Sequence, residues 1–520
     1  MVITETNPAR TIAAATSVIN CLVIITPIKL SMFCVCSICF LQEVKPLYIF
    51  PKYYLDILSG RGGLALHRCH MTTQNSPSKL DASKFYSRRT AMAVIIANMV
   101  GTGVFTALGF QLVDIQSVFA ILVLWVVGGI AAMCGAASYA ELGAALPRSG
   151  GEYNFLGRIY HPMAGFISGW VSAAIGFAAP IAAVSLAFAQ YSTAALPFEF
   201  GPWSKKAIAC TLVIAVTFIH GRNRTASSQF QFSFTAIKII LILAFCLAGL
   251  TLTASAQPIT VIPQAEDWRV ITSAAFGVSL IYVSYAYTGW NAATYITGEL
   301  ENPQRDLPRV LLLSTGIVTA LYVLLNFVFL YAAPMEAMTG DGGKVEIGYI
   351  AAGYIFGETG GRIAGLMLSI LLISTVSAMT LAGPRALQAI GEDFKVLSFL
   401  GRANKAGLPR NAIVFQSSLA LIYILTSSFK AIVVFAGAML ALNSFLAILG
   451  VFILRYKEPN LPRPYKTWGY PLVPLVYLGI TAFMLVFVIV NEPKKAIMGL
   501  VILAAGALFY LVTNKIGAQD

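Results

Sequence analysis

The chain has 520 residues, 58% of them hydrophobic and 11% charged, with a formal net charge of +13. A soluble protein carries about a quarter charged residues, so the composition excludes a soluble globular domain and points to a polytopic helical membrane protein. The positive balance has a simpler source in membrane-flanking loops than in nucleic-acid binding, because no arginine-rich tail or stacking platform accompanies it.

Residues 1–70 differ in character from the rest of the chain. The apolar stretch 17–41 contains Pro27 and Lys29 and makes a poor spanning helix. With Glu5 beside Arg10 and no small-residue cleavage site, it also makes a poor signal peptide. Met71-Thr72-Thr73-Gln74-Asn75 then opens a polar lead, 71–89, that ends at Arg88-Arg89. The functional chain is therefore expected to begin near Met71, with 1–70 a dispensable extension. Five of the eight cysteines fall in that extension, and Cys34, Cys36 and Cys39 have neither zinc spacing nor a histidine pair nearby, so no metal site is expected. Cys134, Cys210 and Cys246 read as small core residues.

Twelve apolar spans come next, at about 90–112, 117–142, 162–191, 206–219, 228–253, 271–297, 309–333, 347–383, 411–428, 430–454, 470–490 and 496–513. The eighth has an irregular start around Gly353 and Gly360-Gly361. If the first span starts inside, the inner loops hold fifteen Lys and Arg residues against eight on the outer side. Both termini are therefore expected to be cytoplasmic.

The first span carries Gly101-Thr102-Gly103 at its midpoint, inside Ile96-Ala97-Asn98-Met99-Val100-Gly101-Thr102-Gly103-Val104-Phe105. The sixth carries Ser284-Tyr285-Ala286-Tyr287-Thr288-Gly289-Trp290-Asn291. Glycine weakens a helix, and hydrocarbon cannot satisfy the backbone groups that a break exposes. A glycine pair alone equally suits close helix packing. Two interruptions in matching positions are instead the best sequence pointer to a transporter's substrate site. Because five crossings separate the two spans, the repeat is inverted, and 90–454 forms a ten-span transport core. The last two spans, within 455–520, lie outside it.

The half-helix ending near Val100 presents carbonyls, and the one beginning at Thr102 presents amides. A zwitterion fits between them, its carboxylate on the amides of Thr102 and Gly103 and its ammonium on the Met99 carbonyl. Carbonyls of Tyr285 and Thr288 complete the ammonium cage. Lys238, in the middle of the fifth span, is costly to bury and so marks function. It cycles a proton, stands as a fixed cation propping the first break, or is a simple snorkelling lysine. Glu141 is expected to pair with a loop arginine such as Arg148.

Several motifs in order resemble those of the amino acid–polyamine–organocation (APC) superfamily, over about Ser83 to Lys515. They are Ile96 to Phe105, Ser138-Tyr139-Ala140-Glu141-Leu142-Gly143, Pro147-Arg148-Ser149-Gly150-Gly151-Glu152-Tyr153, Glu299 to Pro308 and Leu461 to Lys466. Tyr285 to Asn291 is most similar to the L-type amino acid transporter branch and its bacterial relatives. The resemblance implies an all-α integral membrane protein of twelve transmembrane helices, a LeuT-type 5+5 inverted repeat with helices 1 and 6 broken. It implies substrate contacts at Met99, Gly101, Thr102, Gly103, Tyr285, Ala286 and Thr288, a coupling role for Lys238, and gate or pocket-edge positions at Trp290, Asn291 and Asn443.

Thr288 stands where the L-type pattern commonly has glycine, and Asn291 where the arginine/agmatine exchanger branch has glutamate. With no acid in either broken segment, the cargo is expected to be a neutral amino acid, moved by exchange or proton symport. The alternatives are a cationic amino acid or polyamine antiporter and a transport-inactive amino-acid sensor. An intramembrane enzyme would need a metal site or a nucleophile–base pair inside the spans, and the four histidines lie outside the spans or at their ends. No catalytic residue, cofactor or nucleic-acid partner is expected. The expected setting is a plasma membrane (the inner membrane in a bacterium) with lipid around the chain, and a single-span partner subunit is compatible but not implied.

Overall fold

The computed structural model describes residues 86–517 except 222–223, 341–342, 405–406 and 492; the 1–70 extension lies outside them. Every regular element among the described residues is a helix. In chain order they are α1 (Arg88–Met99), α2 (Thr102–Asp114), α3 (Val118–Ala145), α4 (Glu152–Ile159), α5 (Pro162–Val171), α6 (Ala179–Ala194), α7 (Pro202–His220), α8 (Arg224–Leu252), α9 (Ala265–Ile271) and α10 (Ala274–Tyr287). Beyond these come α11 (Ala292–Tyr295), α12 (Pro303–Ala332), α13 (Met335–Thr339), α14 (Ile347–Ala382), α15 (Pro384–Asp393), α16 (Ser398–Gly401), α17 (Arg410–Thr426), α18 (Phe429–Lys457), α19 (Leu472–Asn491) and α20 (Pro493–Gly517).

Ten helices among the described residues are long and apolar enough to cross a bilayer, α1 and α2 together counting as one of them. The pair α9–α10, bent by 64°, makes an eleventh. The ninth of the expected spans corresponds to α17, an apolar helix of 17 residues. The sequence places the sixth span's interruption at Gly289; the chain also bends ahead of α10, where Ser273 caps that helix by accepting from the Phe276 N–H at 3.3 Å. A π-helical stretch, Ser172–Ala178, joins α5 to α6, and no sequence signal marks it. The irregularity expected in the eighth span sits at Gly357, whose φ of 73° interrupts α14.

Burial divides the helices by position. The first span is almost wholly enclosed, with Val94, Ile95, Ala97, Val100 and Val104 fully buried. Around the outside, α7, α8, α19 and α20 present large apolar side chains such as Ile214, Leu247, Val490 and Leu500. In water such a belt would be a liability, whereas against lipid tails it is the expected surface. Polar groups at one end tie the helices together. Glu141 on α3 receives Arg455 of α18 at 2.8 and 2.7 Å and the Thr467 N–H at 2.8 Å. Arg148, its expected partner, instead donates to Asp393 at 2.7 Å.

Candidate substrate site

The first span breaks where the sequence places its glycines. Val100 still donates to the Ile96 carbonyl at 2.8 Å, but its ψ of 75° turns the chain out of the helix. Gly101 donates back to the Met99 carbonyl at 2.7 Å. The chain re-enters a helix at Thr102 with no side-chain cap, so the first amides of α2 have no partner within the helix.

Three other helices secure the exposed carbonyls. Lys238 of α8, wholly buried, donates from Nζ to the Val100 carbonyl and to Thr375 Oγ1 of α14, both at 2.7 Å. Thr375 Oγ1 in turn donates to the Val100 carbonyl at 3.0 Å. From α12, the Tyr322 hydroxyl lies 2.5 Å from the Met99 carbonyl and 3.0 Å from that of Ala286, placing its one proton between the two broken segments. The ring is itself held by Trp125, edge-on at 5.5 Å, and by Tyr287 at 5.0 Å.

The second interruption is organised by its own residues. Thr288 caps α10 with its N–H at 3.0 Å and its Oγ1 at 2.6 Å, both on the Tyr285 carbonyl. Gly289 then adopts φ 99°, a conformation that favours glycine, and lies so close to α1 that a Cβ there would sit 2.8 Å from Asn98 Cβ. The α2–α10 contact is as tight: a Cβ on Gly103 would fall 2.4 Å from Ala286 Cα.

Beside this junction lies a narrow cleft. Asn98, Phe177, Ser284, Tyr295, Ser444 and Tyr477 contribute to it, along with Thr288, Gly289, Trp290 and Asn291. Of the residues singled out by sequence, Thr288, Trp290 and Asn291 line the cleft, and Trp290 packs edge-on against Tyr139 at 4.6 Å. Met99, Gly101, Thr102, Gly103, Tyr285 and Ala286 are packed into the α1–α2–α10 junction and do not line it. Asn443 faces a separate apolar pocket and donates to Ser172 Oγ at 3.3 Å.

Two oxygens of the expected ammonium cage already have partners. A carbonyl oxygen has two lone pairs. Those of Met99 are met by Gly101 and Tyr322, and those of Tyr285 by the two Thr288 groups. Neither oxygen is left open in this conformation. Sequence reasoning also missed Tyr322, Thr375 and Glu152. Glu152 is buried and accepts from Tyr139 Oη at 2.8 Å, from Asn291 Nδ2 at 2.6 Å and from Tyr295 Oη.

The comparisons with known proteins bear on this arrangement. The amino acid permease family model matches residues 86–512, nearly all of the described chain. The chain belongs to the amino acid permease family. It is 28% identical over 436 residues to the mouse (Mus musculus) large neutral amino acids transporter small subunit 2, covering 81% of this chain and 80% of that one. It is 28% identical over 431 residues to the serine/threonine exchanger SteT of Bacillus subtilis, covering 82% and 95%. With the mouse b(0,+)-type amino acid transporter 1 it shares 26% over 437 residues, covering 81% and 86%. This permease is thus a multi-pass secondary transporter of amino acids and not an enzyme. Among its described residues no group of His, Cys, Asp or Glu is arranged to hold a metal ion.

Proposed function

We propose that this permease carries neutral amino acids by alternating access, with the cargo held at the junction of its two interrupted segments. One observation carries the reading: the first-turn amides of α2, the α1 end at Asn98 and the Thr288–Gly289 turn converge beside a cleft lined by both polar and apolar side chains. Helix N-terminal amides suit the carboxylate of an α-amino acid. The Met99, Gly101, Thr102, Gly103, Tyr285, Ala286 and Thr288 positions form the floor of that site, which opens as α2 and α10 separate. Trp290 and Asn291 stand at its edge, and Asn443 acts behind the wall through Ser172.

A neutral cargo is favoured because no Asp or Glu lines the cleft. Lys238 is a fixed cation that keeps the first break open, since both of its bonds go to groups of the break and its partner helix. Exchange is the mode that such a fixed charge suits. Both termini are cytoplasmic, by the fifteen-to-eight distribution of Lys and Arg.

The test is a panel of neutral, cationic and polyamine substrates in proteoliposomes, with and without a pH gradient. Counterflow of neutral amino acids independent of the gradient supports the reading. Binding without counterflow would make the protein a sensor, and preference for lysine, arginine or agmatine would overturn the neutral class.

A further inference from the structure

The acid nearest the cleft stands behind its wall. Glu152 is the first residue of α4, 1% exposed, and no Lys or Arg lies within ion-pair distance of it among the described residues. Its donors are Tyr139 of α3, Tyr295 of α11 and Asn291. Two of these, Asn291 and Tyr295, line the cleft, and the third is the ring against which the cleft residue Trp290 packs. A carboxylate accepts hydrogen bonds and does not donate them, so the amide of Asn291 has only one workable orientation. Nδ2 faces Glu152, at 2.6 Å, which leaves Oδ1 as the other, diverging arm of the same planar group.

We propose that Glu152 is a positioning residue that sets the cargo's side-chain class: by holding Asn291 Nδ2 it presents Asn291 Oδ1 to the cleft as an acceptor. This rests on the carrier reading above and names its substrates further. An acceptor fixed in a largely enclosed site reads a donor on the cargo, the hydroxyl of threonine or serine or the amide N–H of asparagine or glutamine. A purely apolar side chain leaves that oxygen desolvated and unpaired, which is how a site built for a hydrogen bond rejects an isostere lacking it. A free amide would rotate to suit either partner; one anchored by a carboxylate does not.

Threonine and valine form the sharpest pair, matched in shape and differing in the hydroxyl. In proteoliposomes holding the full chain, kcat/KM for threonine is expected to exceed that for valine by at least about tenfold, the worth of one hydrogen bond. In Glu152→Gln the Asn291 amide can turn and offer Nδ2, so the preference ratio for threonine over its O-methyl ether, whose oxygen only accepts, should fall about tenfold. If Glu152→Gln does not fold, Asn291→Leu tests the same bond from the other side, and the same loss of ratio is expected.

A wild-type protein that transports threonine and valine equally overturns the proposal while leaving the carrier reading intact. So does a Glu152→Gln protein with an unchanged ratio and a uniformly lower kcat, which would assign Glu152 to packing. A wild-type protein that moves no amino acid sinks both.

Discussion

The two interruptions solve one problem in opposite ways. At Val100–Gly101 the exposed carbonyls are held from outside, by Lys238, Thr375 and Tyr322 on three different helices. At Thr288–Gly289 the turn closes on itself, with both donors of Thr288 on the Tyr285 carbonyl, and its other face is left to the cleft. Backbone at membrane depth must find partners within the protein. The first break finds them in a staple and serves as a joint; the second finds them locally and has side chains to spare for cargo. If that contrast is right, damage to the first break should cost stability and transport together, whereas damage to the second should fall mainly on KM.

The largest effect is expected at Lys238. Lys238→Ala removes two charge-assisted bonds, each worth about 1.5–3 kcal/mol, from a wholly buried site. Uptake should drop to background, and the thermal midpoint in detergent should fall with a loss of about 3 kcal/mol. A stable Lys238→Ala protein that transports normally except for a lost pH dependence would make the lysine a proton carrier and break the comparison at its first term. Next comes Gly103→Ala. The new methyl would meet backbone, Ala286 Cα at 2.4 Å, and not a side chain that can swing away. Overpacking of this kind costs about 1–3 kcal/mol. The α2–α10 contact should loosen and turnover fall, as read by uptake rates at saturating substrate.

Much of this is legible in the sequence. Gly101-Thr102-Gly103 and Thr288-Gly289 stand out because glycine in an apolar run is locally unfavourable, and local cost is what a sequence displays. Lys238 stands out because its burial is costly wherever its partners lie. The staple partners are another matter. Tyr322 sits among leucines and valines, where a tyrosine reads as packing, and its target Met99 is 223 positions away. Glu152 lies in a loop motif that resembles the family pattern, but nothing local tells that the α4 start reaches the back of the cleft. The place of Asn443 has the same origin. The family pattern puts it at the pocket edge, and the π-helical turn that carries Ser172 to meet it has no signature in the residues.

A smaller effect tests the link between the breaks. Tyr322→Phe keeps the ring packed on Trp125 and Tyr287 and deletes only the hydroxyl shared by Met99 and Ala286. One neutral hydrogen bond is worth about 1 kcal/mol. The variant should therefore fold, lose about that much stability, and show a turnover change without a shift in KM. A change in KM alone would place Tyr322 against the cargo and not between the helices.

The smallest stability effect is expected at Thr288, and it discriminates most finely. Thr288→Val is close to isosteric and removes the Oγ1 bond of 2.6 Å, but the backbone N–H remains on the Tyr285 carbonyl at 3.0 Å. Tyr285 therefore keeps one donor, and the loss should stay under about 1 kcal/mol, below what Gly103→Ala costs. Kinetics should respond more than stability does. Freed from the Thr288 hydroxyl, one lone pair of the Tyr285 carbonyl is open to an incoming ammonium, while the added methyl narrows a cleft that Thr288 lines. Substrates that differ only in side-chain width separate the two contributions. An altered KM for alanine and phenylalanine alike points to the ammonium, and an altered KM for phenylalanine alone points to width. Equal loss of stability in Thr288→Val and Lys238→Ala would mean that the second turn is stapled as heavily as the first, and the proposed division between a joint and a reading surface would fall with it.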